Sequence, residues 1–178
     1  IVPIKTPVTA ISVNRDTIFV ATKSGIGYAK IPGNNLNSPS SWLNNFTAPL
    51  NVNVNTIESF EGNVYAGSET GFATYTDGNW GVYPNGSVAS AKIAHIKAIS
   101  NRLYFIANSV IYSAPSGNLE NIIVEVNQGT WTVIQKDDAQ IPVYGSNNNG
   151  IYYKSASGYV FKNPNSPFTS VFDYMTID

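Results

Sequence analysis

The sequence predicts an all-β fold built from about four copies of one multi-strand repeat, and three observations carry that expectation. Short runs rich in Val, Ile, Tyr, Phe and Thr recur along the 178 residues and are broken by Gly, Asn, Asp and Pro, the pattern of strands separated by turns. No window of eleven or more residues holds an i, i+3, i+4, i+7 apolar stripe free of Gly, Pro or β-branched clusters, so helix signals are scarce. The runs also recur in register: Gly25, Gly71, Val110 and Gly150 open equivalent segments at separations of 46, 39 and 40 residues.

The first half of each repeat reads as a hairpin. AISVNRDTIFVAT (10–22), TIESFEGNVYAGS (56–68) and IKAISNRLYFIAN (96–108) each hold an apolar strand, a polar turn and a second, more apolar strand. The turns are Asn14-Arg15-Asp16, Glu61-Gly62-Asn63 and Ser100-Asn101-Arg102. A looser fourth copy, WTVIQKDDAQIPVYGS (131–146), turns at Asp137-Asp138. A third strand follows a short polar loop in each copy: GIGYAKI (25–31), GFATYT (71–76), VIYSAP (110–115) and GIYYKS (150–155). Outer fourth strands are expected at Trp42-Leu43, Trp80 to Tyr83, Ile122 to Val126 and Phe168 to Phe172. Asp77-Gly78 suits the two-residue hairpin between third and fourth strands, because both central residues of such a turn need positive φ.

Repeats of roughly 40–50 residues with three or four strands match the blades of a β-propeller. The chain is therefore expected to be one propeller-like domain over 1–178, with approximate repeats 8–53, 54–92, 93–129 and 130–178. It forms either a closed small ring of about four blades or part of a larger propeller. Ile1-Val2-Pro3-Ile4 would close a ring by pairing with the last blade, removing an exposed edge. The succession of apolar strand, GNVYAGS, loop and GFATYTDGNW resembles the propeller repeats of bacterial two-component-regulator sensors. It is similar also to the BNR or Asp-box repeats of sialidases and sortilin-like receptors. Thr76-Asp77-Gly78-Asn79-Trp80 is shorter than an Asp-box and lacks its Thr-Trp ending, and Gly129-Thr130-Trp131 has no preceding Asp.

Composition narrows function. Charged residues make up 12% and the net charge is −1, so no clustered basic field exists to hold nucleic acid. No run approaches the ~18 apolar residues of a membrane span. With no Cys, disulfide and thiolate chemistry are excluded. Asn clusters at 34–35, 44–45 and 147–149, a residue that suits turns. The only Met is Met175, which fits either a processed secretory protein or a piece of a longer one. A secreted or cell-surface location is expected.

Catalytic signatures are missing. His95 is the only histidine and reads as a hydrogen-bonded structural residue on a strand. Asp137 and Asp138 read as a solvated turn, without calcium-loop spacing. Nothing in the sequence requires a metal or other cofactor, and no enzyme motif occurs. A propeller-type glycoside hydrolase needs two facing carboxylates, and none is marked. Sialidase activity also needs clustered Arg, while only Arg15 and Arg102 are present.

Most of the 22 Phe, Tyr and Trp residues read as packing between blades. Trp80, Tyr83, Tyr152 and Tyr153 are the ones whose side is open. Binding is expected at the polar loops between second and third strands, where a propeller presents a face: Lys23, Glu69, Thr70, Asn108, Asn147, Asn148 and Asn149. Asn45 and Asn85 head sequons, both expected in loops, that would carry glycans in a glycosylating pathway. The expected function is a non-enzymatic binding module for a carbohydrate or protein ligand. The alternative is a structural or adhesive module that self-associates or belongs to a larger chain.

Overall fold

The computed structural model describes residues 7–45, 47–127, 129–146, 150–155 and 157–162. Among these, four antiparallel four-stranded sheets follow one another along the chain, each a simple meander. The first holds β1 (Val8–Asn14), β2 (Thr17–Thr22), β3 (Gly25–Lys30) and β4 (Leu43–Asn45). The second holds β5 (Val54–Phe60), β6 (Asn63–Ser68), β7 (Phe72–Thr76) and β8 (Asn79–Val82). The third holds β9 (Ile93–Ile99), β10 (Arg102–Ala107), β11 (Val110–Pro115) and β12 (Ile123–Val126). The fourth holds β13 (Trp131–Lys136), β14 (Pro142–Ser146), β15 (Gly150–Ser155) and β16 (Gly158–Lys162). A one-turn helix, α1 (Gly86–Ala89), lies between the second and third sheets. No helix of the described residues is long and apolar enough to cross a membrane. The fold is all-β and of the propeller type, with four blades.

The second strand explains why each sheet forms. In β2 Phe19 to Thr22 are all buried, as are Val64 to Ser68 in β6, Leu103 to Ala107 in β10 and Pro142 to Ser146 in β14. Side chains alternate between faces along a strand, so a consecutive buried run means that both faces are covered.

The turns are tighter than their sequences suggest. Arg15 (φ 54°), Glu61 (51°), Asp77 (49°) and Ser100 (51°) each hold left-handed backbone at the first turn position. Asn14, Asn63 and Arg102, expected in turns, belong to strands instead. Asp77-Gly78 forms the expected hairpin, with Gly78 at φ 88° and Thr76 paired with Asn79.

Two other expectations are corrected. The fourth strand of the last sheet is Gly158–Lys162, pairing Ser155 with Gly158. The segment Phe168 to Phe172 that was expected to supply it lies outside the described residues, as does Ile1 to Ile4. Gly158 sits at φ 120°, a conformation open mainly to glycine, and it turns the chain back at once. Asn45 closes the edge strand β4 rather than lying in a loop.

The chain divides into two compact units, 1–96 and 97–178. In the first, Phe19, Ile26, Ile57, Val64, Ala66 and Ala73 build the core between two sheets. Four rings close one side of it. Phe19 stacks on Tyr28 with centroids 5.5 Å apart and meets Tyr75 edge-on at 5.0 Å, while Tyr75 lies 5.2 Å from Trp80. Ser12 and Ser59 share a 2.7 Å hydrogen bond across the same sheets. On the far face of the second sheet Tyr83 stacks flat on Phe72 at 4.0 Å. Thr56 Oγ1 there accepts a 3.1 Å bond from Ile96 N. Trp80 and Tyr83, whose side the sequence left open, are thus core groups.

The second unit is locked by a polar network. Ser113 Oγ donates to Glu125 Oε1 at 2.6 Å, and Tyr159 OH and Lys154 Nζ reach Glu125 Oε2 at 2.8 and 3.2 Å. Arg102 Nη2 holds the other side of Ser113 Oγ at 2.8 Å. Glu125 of the third sheet thereby binds two residues of the fourth. Tyr152 packs 4.8 Å from Trp131. Burial alone would raise the Glu125 carboxyl, but the bonds from Ser113, Tyr159 and Lys154 hold it below the ordinary carboxylate value.

Two outcomes are expected. A Cβ on Gly67 would press onto Ile93 and come 3.0 Å from Thr56 Cγ2, so Gly67→Ala should cost about 1–3 kcal/mol through overpacking. Urea unfolding measures it, and a change inside about 0.5 kcal/mol would show that the contact yields freely. Because the folded Glu125 carboxyl is depressed, its stabilisation is complete above the unfolded value and is lost as pH falls through the folded one. Glu125→Gln should therefore cost about 1–3 kcal/mol near neutrality, and the gap to the parent should narrow between neutral and acid pH, as the folded carboxyl protonates below its ordinary value. An equal gap at both pH values contradicts the assignment.

Candidate functional site

The polar loops between second and third strands are held from beneath by buried hydroxyls. Thr22 is 3% exposed, and its Oγ1 donates to Gly25 O at 2.8 Å and accepts from Ser24 N at 3.2 Å. Ser68 is fully buried and repeats the arrangement, donating to Gly71 O and accepting from Thr70 N at 3.2 Å. Such side-chain-to-backbone bonds fix a turn locally. Thr22 and Ser68 are therefore scaffold, and the residues after them, Lys23 and Glu69-Thr70, are what the loops present.

Lys23 and Thr70 are exposed, and Glu69 is half-buried. All three leave the same end of the first two sheets, which Thr9 Oγ1 ties together by donating to Val54 O at 2.5 Å. Glu69 is the organised member. Its carboxylate pairs with Lys92 Nζ at 2.8 Å. The Lys92 bond pulls the Glu69 carboxyl below its ordinary value; burial opposes this, and Asn55 and Asn53 add to it. Asn53 Nδ2 donates to Asn55 Oδ1 at 2.7 Å, and Asn55 Nδ2 donates to Ile93 O at 2.9 Å. Asn53 Oδ1 is buried and has no hydrogen-bond partner among the described residues. The result is a carboxylate, an ammonium and two amides gathered at one strand end.

Asn108 occupies the equivalent turn of the third sheet with Ser109, at φ 46° and 67°. Asn147, Asn148 and Asn149 lie outside the described residues. Asn85, half-buried, caps α1, accepting from Ser87 N at 3.0 Å. His95 sits half-buried on β9. Asp137 closes its own turn, its Oδ1 accepting from Ile141 N at 2.7 Å.

Sequence reasoning missed Lys92, Asn53 and Asn55. Lys92 stands in the connection just before β9, and nothing in the linear order links it to Glu69. Asn53 and Asn55 bracket the start of β5, where alternating polar residues read only as a strand beginning.

No family model matches the chain, and no curated protein matches it by sequence. Solved structures do match by fold. The extracellular domain of BT4673 from B. thetaiotaomicron, described as a one-component system, superposes with a TM-score of 0.74 over 96% of this chain at 12% identity. The chain spans 25% of that structure's length. YCF48 bound to D1 peptide gives 0.64 at 16% identity, covering 90% of this chain and 55% of the other. The GH74 enzyme of Niastella koreensis gives 0.61 at 12% identity, covering 89% and 30%. At such identities the likeness establishes the propeller fold, and the three proteins differ in what they do.

Glu69 and Lys92 are 38% and 56% exposed, so their pair lies in water and contributes little to folding. Glu69→Gln is expected to change unfolding free energy by less than about 1 kcal/mol. A larger loss in a chemical melt would recast the pair as a structural brace.

Proposed function

We propose that the chain is a non-enzymatic binding module, acting outside the cell or at its surface, that takes a carbohydrate or protein ligand at the loops between second and third strands. The observation that carries this reading is the cluster of Glu69, Lys92, Asn53 and Asn55. It offers charge of both signs and amide groups around Glu69, whose turn the buried Ser68 hydroxyl already holds. Rigid presentation lowers the ordering cost of binding, and loops over a fixed scaffold are where binding groups concentrate. Lys23 and Thr70 extend the same end of the first unit, and Asn108 stands at the corresponding turn of the third sheet; Asn147 to Asn149 are proposed to take part as well. The fold shared with the extracellular domain of a one-component system supports the location and the role, while fold alone does not assign function.

A second reading has its own observation. Strand β1 exposes Val8, Ile11 and Val13 at 50%, 59% and 51%, an apolar row that favours association with another protein surface. On this reading the chain is a structural or adhesive module.

Glycan and peptide arrays followed by titration separate the two. The binding reading expects one saturable ligand whose affinity falls at least tenfold in the Glu69→Gln, Lys92→Ala double variant, with the melting temperature unchanged. Ligand binding indifferent to that variant, or concentration-dependent oligomers in light scattering with no ligand found, favours the second reading. Turnover of a chromogenic glycoside would overturn the non-enzymatic assignment.

A further inference from the structure

The first unit carries a second feature at the opposite strand ends, where the β1–β2, β5–β6 and β7–β8 turns enclose a cleft of about 290 Å³. Its floor is aromatic. Phe19, 1% exposed, and Tyr75 line it, with Tyr28 and Trp80 packed behind them. Its rim is charged, and the first position of each turn contributes one group: Arg15, Glu61 and Asp77, with Asp16 beside Arg15.

All three charged residues hold left-handed backbone, which is uncommon outside glycine. The matching turn of the third sheet has the uncharged Ser100 there. Lys30 also lines the cleft, but Asp16 neutralises it at 3.0 Å, and Thr17 Oγ1 supports Asp16 at 2.9 Å. Arg15 and Asp77 differ from that pair. Neither side chain makes an ion pair or hydrogen bond with any described residue. One unneutralised cation and one unneutralised anion therefore face the same small space above an aromatic floor.

That arrangement discriminates between ligand chemistries. A simple anion gains Arg15 but meets Asp77 and Glu61, and a simple cation meets the reverse. Arg15 and Asp77 are both exposed, and a neutral polyol supplies neither of them with a counter-charge. We infer that the cleft binds a small zwitterion with an apolar or aromatic side group, an α-amino acid being the simplest case. The carboxylate takes the planar Arg15 guanidinium, whose fork suits two-point contact. The ammonium takes the Asp77 carboxylate, and the side group lies on the Tyr75 ring. The volume falls at the low end of ligand pockets, which run to about 1,000 Å³, so one residue-sized molecule fits and a long oligomer does not. This site stands apart from the Glu69 loops and does not rest on them.

The test is calorimetric titration of the full chain with L-phenylalanine, phenethylamine, 3-phenylpropionate and methyl α-D-glucopyranoside. L-phenylalanine should bind saturably and at least tenfold more tightly than either singly charged analogue, and the glucoside should not bind. Arg15→Asn and Asp77→Asn should each weaken L-phenylalanine at least tenfold; Asn tolerates left-handed backbone, so the turns persist, and unchanged melting curves verify it. The Glu69→Gln, Lys92→Ala variant should bind L-phenylalanine as the parent does. No saturable binding at millimolar concentration, equal binding of all probes, or affinity indifferent to both turn variants would overturn the assignment.

Discussion

Everything in this chain depends on second strands that are buried on both faces. A strand in that position cannot alternate apolar and polar residues, so β2, β6, β10 and β14 read as unbroken apolar runs closed by small or hydroxylated residues. The consequence reaches beyond the core. Polar groups are expelled from the middle of each sheet to the strand ends and outer edges. Among the polar side chains left within the sheets, Ser12 is held by Ser59 and Ser113 by Glu125.

The two ends of the sheets solve different problems and are chemically unlike. At one end, buried Thr22 and Ser68 satisfy turn backbone groups themselves, which frees the next residues to face solvent. At the other, the chain reverses in two residues, and the strain of left-handed backbone falls on Arg15, Glu61, Asp77 and Ser100. Glycine would relieve that strain, as Gly62 and Gly78 do one position later. Asp77 suits this conformation, whereas Arg15 and Glu61 hold it against a local preference, and the Arg15 guanidinium lies against Gly62.

The sequence was most informative where one physical demand acts alone. The paired apolar runs located fifteen of the strands closely because burial on both faces leaves a visible composition. The Asp77-Gly78 hairpin was visible because positive φ restricts residue choice so sharply. The last outer strand was not. Fourth strands are joined to third strands by anything from the two residues 77–78 to the twelve residues 31–42, so spacing could not place Gly158–Lys162, and its short run GYVFK carries little burial signal. The candidate loop residues were legible as loops but not as a site. Lys92 meets Glu69 from another connection, and the charges around the turn-end cleft come from three hairpins whose closeness only packing creates.

The scarcity of charge makes the placement of each ion pair informative. Glu125 is almost enclosed, its side chain 9% exposed, and it gathers a serine, a tyrosine and a lysine; that pair belongs to the stability of the second unit. Lys30–Asp16 and Lys92–Glu69 are mostly in water, where an ion pair adds little to stability. A chain that is 12% charged therefore keeps much of its described charge at strand ends, where folding gains least from it. Solubility would be served by charge scattered over the edges, where this protein uses Asn, Ser and Thr. The two ends of the first unit are unlike in composition and support: Glu69 pairs with Lys92 at one, and Arg15, Glu61 and Asp77 line an aromatic-floored cleft at the other.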